Sequence, residues 1–529
     1  MMRFLLVGLD GAEPSLVEGW MDEGRLPNLD RLRRNGCYLP LASTMPPASF
    51  PAWTTCVTGV NPGRHGIFDF TEISPEPARA VRFVNSTFRK SPALWNVLSN
   101  AGKRVCVLGV PATYPPEPVN GCMVSGFDSP VCSRVDRSFV YPADLYGEVR
   151  DWRYSDFDET RIGPGWHDEA LPRILQKIEE KQRIALRMLG REDWDFFMAV
   201  FGESDAVAHH FWLFHDPQSP RHMPSALSGA IRKVYERLDT AVGALINAAG
   251  PGAIVAVVSD HGSGGAGTGV IHLNNWLAEH GYLRFSPAHV RVRADSGGWT
   301  KRAAMGLVPH RMRGPLFRRF SGMAAAAESG ARFAGIDWAH TRAWSEELNY
   351  FPSIRIRGLA GRGYDLFCND LCSELEAWEP VKKAWRRDQL YQGPYVERAP
   401  DIVLELNLEN GYSYSCLRCA RARRGGPAFR RLDPAGYYGG KGQALAGNHR
   451  PTGVCFLSQP VTAGAASIQD IAPTVLAALE VPAPPMDGTS LLGPVRLSGV
   501  AEQVVPETPY TSDQQFAVEQ RLRALGYFE

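Results

Sequence analysis

Residues Arg3–Gly11 read RFLLVGLDG: an unbroken apolar run that stops at an acid, Asp10, with a glycine behind it. A strand buried on both faces of a parallel sheet reads as such a run, because neither face needs polar residues. The same pattern returns twice. WDFFMAVFGESD (Trp194–Asp205) ends on Asp205, and AIVAVVSDHG (Ala253–Gly262) ends on Asp260 and His261.

Helical patterns lie between these runs. PNLDRLRRNG (Pro27–Gly36) reads as a helix closed by Gly36, and ALWNVLSNAGKR (Ala93–Arg104) as a helix leading into the strand VCVLGVP. A longer helix is expected within Asp168–Gly190. Ile231, Val234, Leu238, Val242 and Leu245 keep helical spacing ahead of the third run. Near the end, GVCFLS reads as a strand and SIQDIAPTVLAALEV as a helix. Strands alternating with helices predict an α/β fold, a mostly parallel sheet sandwiched by helices.

From about residue 269 to 400 the periodicity becomes irregular, and RVRADSGGWTKRAAMGLVPHRMRGPLFRRF (Arg291–Phe320) is rich in Arg and Lys. The expected organisation is a core over 1–268, an inserted cap over 269–400, and a return to the core with a C-terminal tail over 401–529. A basic cap would attract an anionic substrate; a solvated surface is the plainer alternative.

The totals exclude several classes. A formal net charge of +1 gives no global field for nucleic acid or membrane. No apolar run approaches the roughly 20 residues of a membrane helix, and the first run is cut by Asp10 too early for a signal peptide. A cytoplasmic protein is expected. Cys106 and Cys455 lie in apolar strand patterns, as buried thiols do. Cys416/Cys419 and Cys368/Cys372 could together hold a structural zinc or remain free thiols.

In open α/β sheets the carboxyl ends of strands form the binding edge, so Asp10, Asp205 and Asp260 converge there. Asp205 and His209 stand four apart, on one face of a helical turn. His261 adjoins Asp260, and His449 sits in AGNHRPTGV before an apolar strand. This Asp/His inventory suits zinc or another first-row metal better than magnesium or calcium.

PPASFPAWTTCVTGVNPGRHGIFDF (Pro46–Phe70) crowds hydroxyls between two turn clusters. Ser49 reads as the cap of a helix with Pro51 in its first positions, which places Thr54 and Thr55 in the first turn. Unpaired backbone N–H groups there favour an anion, and a bound metal would activate a hydroxyl as nucleophile. NPGRHG reads as the turn ending this helix.

Together, VGLDG, FPAWTTCVTGVNPGRHGIFDF, ESDAVAHH, VVSDHG and AGNHRPTGV resemble the alkaline phosphatase superfamily, in particular its type I phosphodiesterase/nucleotide pyrophosphatase branch. The stretch from SPALW to GFDSP and the tail DIAPTVLAALEVPAPPMDGTSLL look like its phosphohydrolase/phosphomutase-like members. The resemblance implies two divalent metals, usually zinc, with manganese an alternative. Asp10, Asp260 and His261 would hold one, and Asp205, His209 and His449 the other. It further implies Thr55 as a nucleophile forming a phospho-threonine, with Thr54 and His210 as the alternatives to Thr55 and His209. Asn85 would contact the phosphate, as would Arg64 and Lys90 unless these two are surface charges. Cys56 is followed by Val57-Thr58 rather than the C-x-P-x-R of sulfatases. The expected substrate is a phosphate ester of nucleotide type, with a phosphomonoesterase, a phosphotransferase or a non-catalytic binding protein as alternatives.

Overall fold

The computed structural model describes residues 2–74, 81–126, 137–152, 162–286, 333, 335–347, 351–419, 424–439, 444–461 and 464–498. The basic run Arg291–Phe320 lies outside them. A nine-stranded sheet forms the centre, in the order Ala466–Ser467, Cys37–Ala42, Thr452–Leu457, Ile254–Val258, Phe4–Leu9, Phe196–Phe201, Val105–Leu108, Gly121–Val124, Val140–Tyr141. The five strands from Ile254–Val258 to Gly121–Val124 run parallel. Thr452–Leu457 lies antiparallel to both its neighbours.

Side chains alternate across each strand and so feed two cores. Leu5, Val7 and Leu9 pack with Phe197 and Val257 against Ile178, Phe211, Leu238 and Leu245. Phe4 and Leu6 face the other way, with Met198 and Val258, onto Trp53, Leu94, Trp95 and Leu476. The helices carrying these residues are Trp166–Leu189, Glu203–His215 and Ala230–Ala249 on one face, and Ser49–Thr58, Leu94–Asn100 and Ile471–Ala478 on the other. The α/β sandwich expected from the sequence is what the chain forms.

The register decides the site. Leu9 pairs with Phe201 and Gly8 with Val258, so three adjacent parallel strands end level, just before Asp10, Glu203–Asp205 and Asp260. The long strand Gly262–Ile271 then leaves the core. Its first residues pair antiparallel with Gly447–Arg450, setting Ser263 opposite His449. Its far end pairs with Tyr412–Cys416 and joins a second lobe. There a four-stranded sheet of Ala343–Ser345, Ser353–Ile356, Ile402–Leu406 and Val381–Arg386 draws strands from both sides of residue 400. Leu371 and Leu375 of the helix Gly361–Glu376 pack on its Ile354, Ile402 and Leu404. Among the described residues no helix is long and apolar enough to cross a membrane.

Candidate active site

The three strand-end carboxylates meet where the register puts them. Asp10, Asp260 and His261 form one group whose ligand-type atoms lie within 4.8 Å of one another, and Asp205, His209 and His449 form a second. These are the two such groups among the described residues. Cys368 and Cys372 lie on the Gly361–Glu376 helix and Cys416 and Cys419 beside Glu347, and they join in no such group.

Gly11 explains why an Asp-Gly pair ends the first strand. Its φ of +66° is left-handed, and an added Cβ would lie 2.9 Å from the Cβ of Asp205. Its N–H donates to Asp260 Oδ1 at 3.1 Å, which ties the two strand ends together.

The histidines are oriented from behind. Nδ1 of His209 lies 2.8 Å from the Gly447 carbonyl, that of His449 2.7 Å from Pro47, and that of His261 2.9 Å from Gly262. A carbonyl only accepts, so each Nδ1 carries the proton and each Nε2 turns a lone pair inward, the arrangement of metal-ligating histidines. His449 Nε2 lies 3.4 Å from Asp205 Oδ1, and His261 Nε2 3.4 Å from Asp260 Oδ2 and 3.7 Å from Asp10 Oδ1.

Electrostatically the site is short of positive charge. Burial, and then repulsion from Asp260 and Asp205, pushes the Asp10 carboxyl well above the usual range. Burial likewise pushes Asp260 up. Burial and the nearby His261 depress His449 to about 3. Among the described residues these carboxylates make ion-pair contacts with histidines alone. Asp260 Oδ2 and His261 Nε2 are fully buried and have no hydrogen-bond partner among the described residues. Buried carboxylates and inward lone pairs with no counterion fit divalent cations. Asp205 keeps 18% of its side chain exposed, so the site opens to solvent on that side.

The hydroxyl beside these groups is that of Ser49. The Ser49–Thr58 helix has Ala48 at its cap, so Ser49 is the first helical residue rather than the cap expected from the sequence. Its Oγ lies 3.5 Å from Asp10 Oδ1. Four residues on, about one turn, Trp53 Nε1 donates to Asp10 Oδ2 at 2.9 Å. Gly8 makes this approach feasible: a Cβ there would sit 2.4 Å from Trp53 Cη2.

Thr55 stands elsewhere. Six residues on from Ser49, it is about 9 Å along the helix and about 120° around it. Its Oγ1 lies 2.9 Å from His65 Nε2. The Ile67 N–H donates to His65 Nδ1, so Nε2 bears the proton and donates to Thr55. Thr54, five residues from Ser49, also leaves that face. The helix ends at Gly59 in the left-handed conformation, and Pro62–His65 is a separate helical turn rather than the ending itself.

The remaining sequence candidates divide. His210 turns away from its neighbour's group: its ring packs on Trp166, and its carbonyl lies 3.1 Å from His167 Nε2. Arg64 is bound to the C-terminal segment, by an ion pair to Asp487 at 2.9 Å and a hydrogen bond to the Pro485 carbonyl. Lys90 is 7% exposed rather than a surface charge. Asn85 is fully buried; its Oδ1 accepts from Thr87 N and Oγ1, while its Nδ2 has no hydrogen-bond partner among the described residues.

Comparison with known proteins places the chain by family and by fold. The family model described as type I phosphodiesterase/nucleotide pyrophosphatase matches residues 4–415. Among solved structures, phosphonoacetate hydrolase from Sinorhizobium meliloti 1021, in complex with phosphonoformate, superposes with a TM-score of 0.56 at 16% identity, covering 91% of this chain and 95% of that one. Murine ectonucleotide pyrophosphatase/phosphodiesterase 5, an inactive form in complex with AMP, gives 0.50 at 13% identity, covering 92% and 98%. The human counterpart gives 0.50 at 12%, covering 92% and 97%. No curated protein matches the chain in sequence.

Proposed function

The chain belongs to the type I phosphodiesterase/nucleotide pyrophosphatase family, a family of phosphoric ester hydrolases, and on that premise we propose that it hydrolyses a phosphodiester or phosphoanhydride, with Ser49 as the nucleophile. The observation that carries this reading is the Ser49 hydroxyl 3.5 Å from Asp10, a member of one of the two Asp/His groups.

Asp10, Asp260 and His261 would hold one divalent cation, and Asp205, His209 and His449 a second, with zinc favoured by the imidazole ligands and manganese the alternative. Such cations, when bound, lower the pKa of the nucleophile and neutralise charge on the phosphoryl oxygens.

Ser49 Oγ attacks phosphorus, and the bond from phosphorus to the leaving oxygen breaks, that oxygen keeping the electron pair. The Ser49 hydroxyl ionises before attack and its proton passes to solvent. Water then attacks the phosphoserine ester and restores the hydroxyl. Because Ser49 opens a ten-residue helix, the positive end of the helix dipole lies at the reacting hydroxyl and favours the phosphoryl group's negative charge. The Asn85 amide, whose Nδ2 is unspent, is the candidate for a further donor. The murine neighbour, inactive once a threonine is made alanine, supports a hydroxyl nucleophile on this fold.

The test compares bis(p-nitrophenyl) phosphate with p-nitrophenyl phosphate after loading with zinc or manganese. Dominant turnover of the diester is expected; dominant turnover of the monoester would overturn the choice of diester.

A further inference from the structure

One arginine tied to the group of Asp205, His209 and His449 is closed off from solvent. Arg221 is fully buried, in the connection between the helices Glu203–His215 and Ala230–Ala249. Its guanidinium meets carbonyls rather than carboxylates. Nε donates to Gly267 at 2.7 Å, and Nη1 donates to Ala444 at 3.0 Å and to Leu445 at 2.8 Å. Burial pulls it down from 12.5 to about 10, so it stays charged at neutral pH. A buried charge is costly, and these carbonyl dipoles are its compensation.

The three acceptors lie on two segments that the site needs. Gly267 is on the strand Gly262–Ile271, which starts just after His261. Ala444 and Leu445 lead into the strand Gly447–Arg450, which carries His449. Ala444 has a φ of +69°, in the left-handed region that a residue with a Cβ rarely adopts, and Arg221 holds its carbonyl there. Beyond it the chain is fixed residue by residue. Ala446 N donates to the His209 carbonyl at 3.0 Å, and the Ala446 carbonyl accepts from Ala266 N at 2.9 Å. A Cβ on Gly447 would lie 2.3 Å from the Ala208 carbonyl oxygen, so this backbone runs hard against the helix of His209. The Gly447 carbonyl, two residues after Leu445, is the one that takes the His209 Nδ1 proton.

We propose that Arg221 is a positioning residue for the second Asp/His group: it clamps the turn at Ala444 to Gly267, and so aims the Gly447 carbonyl at His209 and sets the strand of His449 in place. The proposal rests on the reading above that this group holds a cation. A carbonyl fixed in this way keeps the proton on His209 Nδ1 and the Nε2 lone pair turned inward. A lysine would bring the charge but not the planar fork that spans both segments.

Titration of the metal-free protein with zinc, in competition with a chelator, tests this. The unaltered chain is expected to take up two ions. Arg221→Met should weaken one of them about tenfold or more and leave the other within about twofold. His449→Ala identifies which: it removes the second group's ion, and adding Arg221→Met to it should leave the remaining affinity unchanged. Arg221→Lys, which keeps the charge and one donor for a carbonyl, is the milder variant and should fall between. Ala444→Gly takes the left-handed turn without strain, and should recover part of the loss in the Arg221→Met protein. Both ions weakened alike, or neither, would overturn the positioning role. Fewer than two ions on the unaltered protein would instead overturn the two-cation reading, and this inference with it.

Discussion

His209 Nε2 and His449 Nε2 face each other across 3.1 Å, while the opposite nitrogen of each ring is held by a backbone carbonyl. Two lone pairs at that distance repel unless a cation lies with them. Metal analysis of the purified protein should therefore find about two ions per chain, and His449→Ala about one. Removal by chelation should lower the unfolding temperature, since a ligand present at about 1,000 times its Kd contributes about 4 kcal/mol. A metal-free protein with an unchanged unfolding temperature contradicts the account.

The contact between Trp53 and Asp10 depends on Gly8. Gly8→Ala would set a methyl against Trp53 Cη2 at 2.4 Å and Val200 Cγ2 at 2.9 Å. A cost of about 1–3 kcal/mol is expected from this overpacking. Trp53→Phe keeps a ring but removes the N–H that Asp10 accepts, which costs about 1–3 kcal/mol for the carboxylate left behind. Urea unfolding measures both.

His65 gives the fold an acid sensitivity of its own. Burial, and then the charge of Arg89, depress it from 6.5 to about 3. The folded state therefore favours the neutral ring. Its contribution is complete above about pH 6.5 and is lost as pH falls towards 3, with a slope of at most about 1.4 kcal/mol per pH unit. His65→Gln should be less stable at pH 7.5 yet lose less stability on acidification. Parallel pH-stability curves for the two proteins would contradict this.

Thr55→Ala removes the acceptor of the His65 N–H and leaves a buried donor without its partner. Stability should fall by about 1–3 kcal/mol. Turnover of a diester at saturating substrate should stay within a few-fold, because Thr55 faces away from the two Asp/His groups. A loss of several hundredfold would restore Thr55 as nucleophile.

The sheet and the meeting of Asp10, Asp205, Asp260, His209, His261 and His449 are legible in the sequence because buried parallel strands announce themselves. The residues just past their carboxyl ends must then gather at one edge. Ser49 is not legible in this way. A serine two residues before a proline has the local pattern of a helix cap, and only the contact with Asp10, 39 residues away, brings its hydroxyl to the Asp/His groups. The place of Arg64 is hidden for a similar reason, since its partner Asp487 lies 423 residues on. The second lobe is obscure because its sheet is assembled from short strands whose pairing is non-local.

The central claim is tested most directly by acid-quenching the metal-loaded protein during turnover of bis(p-nitrophenyl) phosphate and locating the covalent adduct by peptide mass spectrometry. The account predicts a phosphoryl ester on Ser49, absent from Ser49→Ala, which should still bind its metals and lose at least about a thousandfold in kcat. An adduct on Thr55, or undiminished turnover by Ser49→Ala, would contradict it.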